Sequence, residues 1–451
     1  MISPYFNRSQ LLVNWFDLLC KIIHSGKADK WTKEKLWSKI YKGEAFDDVR
    51  YRKLNSDLLK LVEGFLAQSE YEDNQVNQAN YLLEAIKKRK MEKLYSSSKR
   101  QAERALEVEG VWNKSASYYF HQYQFQKSYY DLDKSNLQRT SKSNIENIVD
   151  NLDYFYLAEK LKYYYEMKSR QSVATQHNYQ ISLIDEIANH IGDATYDEIP
   201  AVAIYYQVYL TQKDPSDVDH YFKLKDLLGK HGNEFPANEA KEIYTTAINY
   251  CINKINKGKQ QFLGEFIDIN EDYLRKDILI EGELSPWKFQ NIVTAACRLG
   301  RYEWTKEFIS KYKEKLPTNY RDNAVSYNIA RLYFYQKNYS KVVEMLREVE
   351  YEDFSYNLGS KSMLIPTYYE LDELEPLYSL LDSFRTYLSR HKEEMPLQRY
   401  NNYVNLIGFT RKLIKIIPGD QKAIGKLKGE IDNSSGIMNE EWLRQKIAEL
   451  E

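Results

Sequence analysis

The chain of 451 residues carries 64 Lys and Arg against 65 Asp and Glu, a formal net charge of −1, so no global electrostatic pull toward nucleic acid or acidic lipid is built into it. Its 17 Gly and 10 Pro make 27 turn formers, where average usage would give about 54, which excludes a loop-rich fold and predicts long regular elements. Hydrophobic content of 43% is enough for a large core and excludes wholesale disorder, and the 40 tyrosines are the most unusual feature of the composition.

Near the start, Leu12, Trp15, Phe16, Leu19 and Ile23 recur at helical period and predict an amphipathic first helix. The run carries Asp17 and is too short to span a bilayer, which takes roughly 20 apolar residues, so no membrane insertion is expected. The stretch 87–104 is basic, with Lys87-Lys88-Arg89-Lys90 and Lys99-Arg100 interleaved with Glu84, Glu92 and Glu103, and it predicts a solvated helix with partial charge pairing. Tyr81 and Tyr95 lie close enough in sequence to stack on bases, which keeps a nucleic-acid surface as the alternative reading of this stretch. The polar run Arg139-Thr140-Ser141-Lys142-Ser143-Asn144 marks a break, so 1–140 is read as an N-terminal helical region and 141–284 as divergent helical hairpins.

Stripes such as Ile145, Ile148, Leu152, Phe155, Tyr156 and Leu161, or Ile243, Ala247, Tyr250, Cys251 and Ile255, continue the helical pattern, and no sustained alternation of apolar and polar residues appears. The predicted class is all-α. Asp214-Pro215, Ser285-Pro286 and Glu375-Pro376 place a proline where a helix can begin. Looser hairpins are expected from 201–210 with 217–228 and from 240–255 with 262–274.

From Pro286 the pattern becomes periodic. Phe289, Ile292, Val293 and Ala296 precede the turn Leu299-Gly300-Arg301-Tyr302, followed by Thr305, Phe308, Ile309 and Tyr312 and a stop at Pro317. Ile329, Ala330 and Tyr333, the turn Gln336-Lys337-Asn338-Tyr339, then Val342, Leu346 and Val349 repeat it. A third copy has Leu364, Ile365 and Tyr368, a turn at Leu371-Asp372-Glu373-Leu374, then Leu377, Leu381 and Phe384. The markers Tyr302, Tyr339 and Leu374 are 37 and 35 residues apart. A helix bearing Glu440-Glu441-Trp442-Leu443 and Lys446-Ile447 would close the row as a polar cap within 386–451.

Over 285–385 this grammar resembles the tetratricopeptide repeat, a helical hairpin of about 34 residues with a Gly-x-Tyr-like turn and a small residue early in its second helix. Thr305, Val342 and Leu377 stand at that last position here. The resemblance implies an α-α superhelix, a right-handed solenoid of antiparallel helix pairs, whose first helices line a concave face that receives a protein or peptide segment. On that face it would place Trp287, Gln290 and Arg298 of the first unit, Tyr327, Arg331, Phe334 and Tyr335 of the second, and Tyr369 of the third, with Asn328 at a position where some members clamp a carboxylate. Aromatic and Arg side chains are what binding hot spots favour. Pro366 lies inside the third unit's first helix and is expected either to delay its start or to kink it and widen the groove.

Catalytic and cofactor signals are missing from the sequence. Gly359-Ser360-Lys361-Ser362 has no leading glycine or preceding strand, so no phosphate-binding loop is expected. The seven histidines contain no pair four apart, and the acidic run Glu348, Glu350, Glu352 and Asp353 lacks the spacing of a calcium loop. The chain therefore reads as non-enzymatic, with no cofactor or metal. Cys20, Cys251 and Cys297 are far apart, odd in number and without CxxC spacing, which predicts a reducing, cytoplasmic setting. The balanced charge favours a protein partner over nucleic acid, and an uncapped row would allow self-association.

Overall fold

The computed structural model describes residues 9–26, 28–133, 143–173, 179–193, 196–279, 282–347, 354–434 and 436–451. Among these it holds twenty-one α-helices and no strand, which is the all-α class expected. The chain separates into two compact units, Met1–Tyr209 and Leu210–Glu451.

The first unit contains α1 (Gln10–His24), α2 (Lys33–Ile40), α3 (Asp48–Asp73), α4 (Gln75–Arg89), α5 (Glu92–Trp112), α6 (Ala116–Asp133), α7 (Ile145–Val173), α8 (Ile184–Asp193) and most of α9 (Pro200–Lys213). Ser9 caps α1 by accepting from the Leu12 amide, and the predicted stripe docks Trp15, with Leu12, Phe16 and Leu19, against Leu54 and Leu58 of α3. Ile23 falls off that stripe and is exposed, and Ile22 is buried in its place. A second core joins Val76, Ala79 and Leu83 of α4 to Ala102, Ala105 and Leu106 of α5 and Phe125 of α6, with Tyr95 packed against it.

The basic stretch is not one helix. It spans the end of α4, a left-handed turn at Lys90, and the start of α5. Lys87 is tied to Asp131, and Lys99 lies 3.7 Å from the centre of the Tyr129 ring. Most of the polar run expected to end a domain, Arg139 to Lys142, lies outside the described residues, and the helices on either side of it, α6 and α7, pack along each other inside the first unit. The buried side of α7 runs through Leu157, Ala158 and Leu161, whereas Ile145, Leu152 and Tyr156 of the expected stripe face outward. At the α5–α6 turn Glu109 accepts from Asn113 Nδ2 at 2.9 Å and meets His121 Nδ1 at 3.0 Å, a satisfied buried polar knot that serves capping.

The second unit continues with α10 (Asp219–His231), α11 (Ala237–Asn256), α12 (Phe262–Arg275), α13 (Pro286–Arg298), α14 (Tyr302–Tyr312), α15 (Thr318–Tyr335), α16 (Tyr339–Arg347), α17 (Phe354–Glu370), α18 (Leu374–Arg390), α19 (Leu397–Leu413), α20 (Gln421–Asp432) and α21 (Glu440–Glu449). Pro286 opens α13 as expected, but Pro215 sits in a turn whose Asp214 carboxylate accepts from Ser216 and Asp217 amides, and α10 begins only at Asp219. The acidic run Glu348 to Asp353 lies outside the described residues.

Successive hairpins are α13–α14, α15–α16, α17–α18 and α19–α20. α13 packs on α15 and α15 on α17, so the first helices form one layer, while α14 and α16 each bridge the first helices on either side. Most of the predicted core holds: Phe289, Ile292, Val293, Val342, Leu377, Leu381 and Phe384 are fully buried, and Thr305 sits at the tight second-helix position with its hydroxyl donating to the Arg301 carbonyl. Tyr312, Ile329, Tyr333 and Tyr368 are only half-buried, with Leu332 buried in α15, and Val349 lies outside the described residues.

The repeat is most regular in its backbone. Gly300, Lys337 and Asp372 adopt the same left-handed conformation, φ +70°, +57° and +57°, each two residues before its second helix. In each turn the next amide reaches back five residues, Arg301 to Ala296, Asn338 to Tyr333 and Glu373 to Tyr368, at 2.9 to 3.0 Å, which is the Schellman closure. The third unit has therefore kept the turn geometry that its sequence, without glycine or aromatic, does not announce. Tyr302 also ties neighbouring hairpins together, its hydroxyl donating to the Tyr335 carbonyl at 3.0 Å.

Candidate groove on the first-helix layer

Thr294 stands at the middle of α13, and its hydroxyl hydrogen is committed to the Gln290 carbonyl at 2.7 Å, leaving its lone pairs outward. Arg331 of α15 fills that opening. One guanidinium nitrogen donates to Thr294 Oγ1, another donates to the Tyr327 hydroxyl at 2.6 Å, and the guanidinium carbon lies 5.0 Å from the centre of the Tyr327 ring. Tyr327 is buried and meets Tyr356 edge to face, with ring centroids 5.1 Å apart. Tyr356 in turn lies nearly parallel to Trp287, which is half exposed. An aromatic path thus leads from an open Trp287 on α13 to a cation on α15. Gly359 makes it possible, because a Cβ there would overlap the Tyr327 hydroxyl and lie 2.8 Å from its Cζ.

At the far end of the two helices, Arg298 is exposed and donates to the amide oxygen of Gln260 at 2.7 Å. Tyr335 lies between the two arginines. Burial pushes its phenol above the ordinary value, and the Arg331 and Arg298 charges oppose that rise.

The structure divides the residues expected on this face. Trp287, Gln290 and Arg298 recur along one stripe of α13, Arg331 of α15 meets that stripe at Thr294, and Tyr335 feels the charges of both arginines. Tyr327 supports Arg331 from beneath and presents no surface. Phe334 turns toward the hairpin closure, edge-on to Tyr339 with centroids 6.1 Å apart, and is not a groove residue. Asn328 is fully buried, with its amide donating to the Ala324 carbonyl of its own helix, so it forms no clamp. A first helix has neighbours on three sides in a layered stack, so most of its circumference is core, and a single-stripe reading of α15 puts too many residues outside.

Tyr369 meets a different neighbour. Trp442 of α21 packs edge-on against it at 5.4 Å and donates its indole N–H to Glu370 at 2.8 Å, and Lys446 also pairs with Glu370 at 2.8 Å. Burial works against the Lys446 charge, yet hydrogen bonds to Glu370 and Glu449 hold its ammonium above the ordinary value. Asn439, itself left-handed, donates to the Ser362 carbonyl at 2.8 Å. That carbonyl is the one four residues before Pro366, the acceptor orphaned because proline has no N–H. α17 runs unbroken from Phe354 to Glu370, so Pro366 neither delays nor interrupts it. It frees an acceptor that the chain's own C-terminal segment uses.

Sequence reasoning did not find Tyr356, nor the docking of Asn439, Trp442 and Lys446 on α17. Residue 356 would have been reachable from an earlier start for α17, but pairings across 72 to 77 residues leave no local signal.

In the first unit, a cleft of about 640 Å³ is lined by Gln75 and Gln78 at the start of α4 and by Ser97, Arg100, Gln101, Arg104, Ala105 and Val108 of α5. No carboxylate is among these lining residues. Among the described residues no helix is long and apolar enough to cross a membrane.

No protein-family model matches the chain, and no curated protein matches it significantly.

Proposed function

We propose that the chain is a non-enzymatic scaffold of tetratricopeptide-like hairpins, forming a right-handed solenoid, that binds a protein segment along the α13–α15 part of its first-helix layer. The observation that carries this reading is the open Trp287 coupled through Tyr356 and Tyr327 to Arg331. A half-exposed tryptophan linked through two rings to a positioned guanidinium is the composition of a hot spot. A cytoplasmic setting belongs to the same proposal, since its cysteines are few and scattered. Burial pushes the Cys251 thiol up to about 12 and the Cys297 thiol to about 11, so both are unreactive fillers.

The test is site-specific photocrosslinking. A photoreactive side chain at position 298 should capture a discrete protein, and capture should drop when Trp287 and Arg331 are both replaced by Ala. The same group at position 306, on the second helix of that hairpin, serves as control. Capture that survives the double substitution removes the groove from the assignment.

A second reading, nucleic-acid binding by the 87–104 stretch, is supported by the cleft that gathers Arg100 and Arg104 with polar amides. Phosphate contacts make affinity fall steeply with salt. Absence of oligonucleotide retention at low salt disposes of it.

A further inference from the structure

Three arginines of the second unit are partly buried among the described residues: Arg321, Arg331 and Arg411. Arg321 pairs with Glu314 at 2.8 Å and Arg411 pairs with Asp382. Arg331 alone has only neutral oxygens, those of Thr294 and Tyr327, and among the described residues no carboxylate lies within ion-pair distance. A guanidinium withdrawn from water without a counter-ion is unfavourable unless something else supplies the negative charge. Its neighbour along the groove, Arg298, is likewise held by a neutral amide.

The hydrogen-bond inventory points the same way. A guanidinium has five N–H groups, and Thr294 and Tyr327 take one from each terminal nitrogen. That leaves Nε–H and one hydrogen on each terminal nitrogen without a protein acceptor among the described residues, the fork of groups with which a guanidinium grips a carboxylate. The aromatic shelf fixes the fork, because stacking over Tyr327 and the Gly359-permitted position of that ring leave the guanidinium little freedom. Glu441, at the start of α21, acts on Tyr335 by its charge and forms no ion pair with either arginine.

We infer that the segment received on this face is acidic: a side-chain carboxylate of the partner protein seats on Arg331, with Arg298 adding attraction, and a neighbouring apolar side chain lies on Trp287. This rests on the proposed groove and adds the chemistry of its occupant. Carboxylate is favoured over phosphodiester because Arg331 offers one partly buried fork, not a row of exposed cations tracking a backbone.

Fluorescence anisotropy on the full chain tests it with three labelled ten-residue peptides that share two Leu and one Trp. Their remaining positions are all Glu, all Gln or all Lys, and a ten-nucleotide oligothymidine competes. The expected result is that the Glu peptide binds about tenfold or more tighter than the Gln peptide, that Arg331→Gln removes this preference, and that the oligonucleotide does not displace it. Arg331→Lys, which keeps the charge but loses the fork, should retain only part of the preference. Arg298→Gln, at an exposed site where folding is not at risk, should weaken the Glu peptide severalfold and leave the Gln peptide unchanged. Equal binding of Glu and Gln peptides, both lost in Trp287→Ala, overturns the acidic inference and leaves the groove standing. Failure of every peptide overturns both, and displacement by oligothymidine in an Arg331-dependent manner assigns the site to phosphate instead.

Discussion

Two neighbouring stretches of one helical layer are built from the same repeat yet end in opposite states. Along α17 the first-helix surface is taken by the chain itself: Asn439 fills the carbonyl that Pro366 orphans, and Trp442 and Lys446 converge on Glu370. Along α13 and α15 the surface presents Trp287 half exposed and Arg331, among the described residues, without a counter-ion. The covered stretch shows how this layer satisfies itself when a helix lies on it: one backbone acceptor, one aromatic edge contact, one buried ion pair. The open stretch has the aromatic and the charge but, among the described residues, no ion pair for Arg331.

The sharpest way to break the contrast is to remove the covering helix. Leu443 and Ile447 of α21 are fully buried. Leu443→Ala should destabilise the second unit by about 3 kcal/mol, the usual cost of a large-to-small change in a closed site. Chemical denaturation followed by helical circular dichroism reads this directly. If α21 lay loosely on its neighbours, the loss would stay below about 1 kcal/mol, the range of a surface change.

Next in size is Gly359→Ala. In an ordinary helix this change gains about 1 kcal/mol. Here the new methyl would collide with the Tyr327 hydroxyl, so the ring must leave its place and Arg331 loses a partner. We expect a net loss of about 1–2 kcal/mol and weaker capture at the open stretch. Adding Tyr327→Phe should recover part of the stability by removing the colliding oxygen, though not the capture.

How much of this was legible in the sequence follows from which forces are local. The helices, their apolar faces and the register of three hairpins could be read because periodicity and turn chemistry act within a few residues. Residues such as Phe289, Leu377 and Phe384 were placed in the core on that basis. Of the candidate site, residue type was legible: Trp287 and Arg298 lie on one stripe of α13, and Arg331 meets that stripe at Thr294. What could not be read was which aromatic supports and which presents. Tyr327 and Tyr335 are alike in sequence, and only contacts from α17 and α13 decide their burial. The occupation of Tyr369 by Trp442 depends on a return of the chain over more than 70 residues, and no pattern at helical spacing encodes it.

Lys288, next to Trp287, gives a pH-resolved probe of the open stretch. Burial and the nearby Lys241 charge lower its ammonium from 10.5 to about 7, and its Nζ lies 3.4 Å from the centre of the Tyr273 ring, whose negative face moderates that fall. The unfolded chain binds this proton up to about pH 10.4, whereas the folded one releases it from about pH 7, so folding is penalised by the charge at low pH and the penalty fades as pH rises between these values. Lys288→Met should therefore raise Tm most below pH 7, and the gain should vanish above about pH 10.4. A gain that does not change with pH would mean the lysine is hydrated in the folded state.

The smallest expected effect tests the repeat itself. Lys337 and Asp372 hold the left-handed turn position that Gly300 holds in the first hairpin, and an L side chain there costs roughly 1 kcal/mol relative to glycine. Asp372→Gly should stabilise the second unit by about 0.5–1 kcal/mol, less the entropy glycine adds to the unfolded chain, and Lys337→Gly somewhat less, because it also removes the Lys337 charge that favours Glu449 of α21. Because the two turns are separate, the gains should add in the double variant. Gly300→Ala should move the other way by a similar amount although open space surrounds its Cβ position, since φ alone opposes it. If all three changes are neutral, the shared backbone turn contributes nothing to stability, and the likeness among the hairpins is one of packing alone.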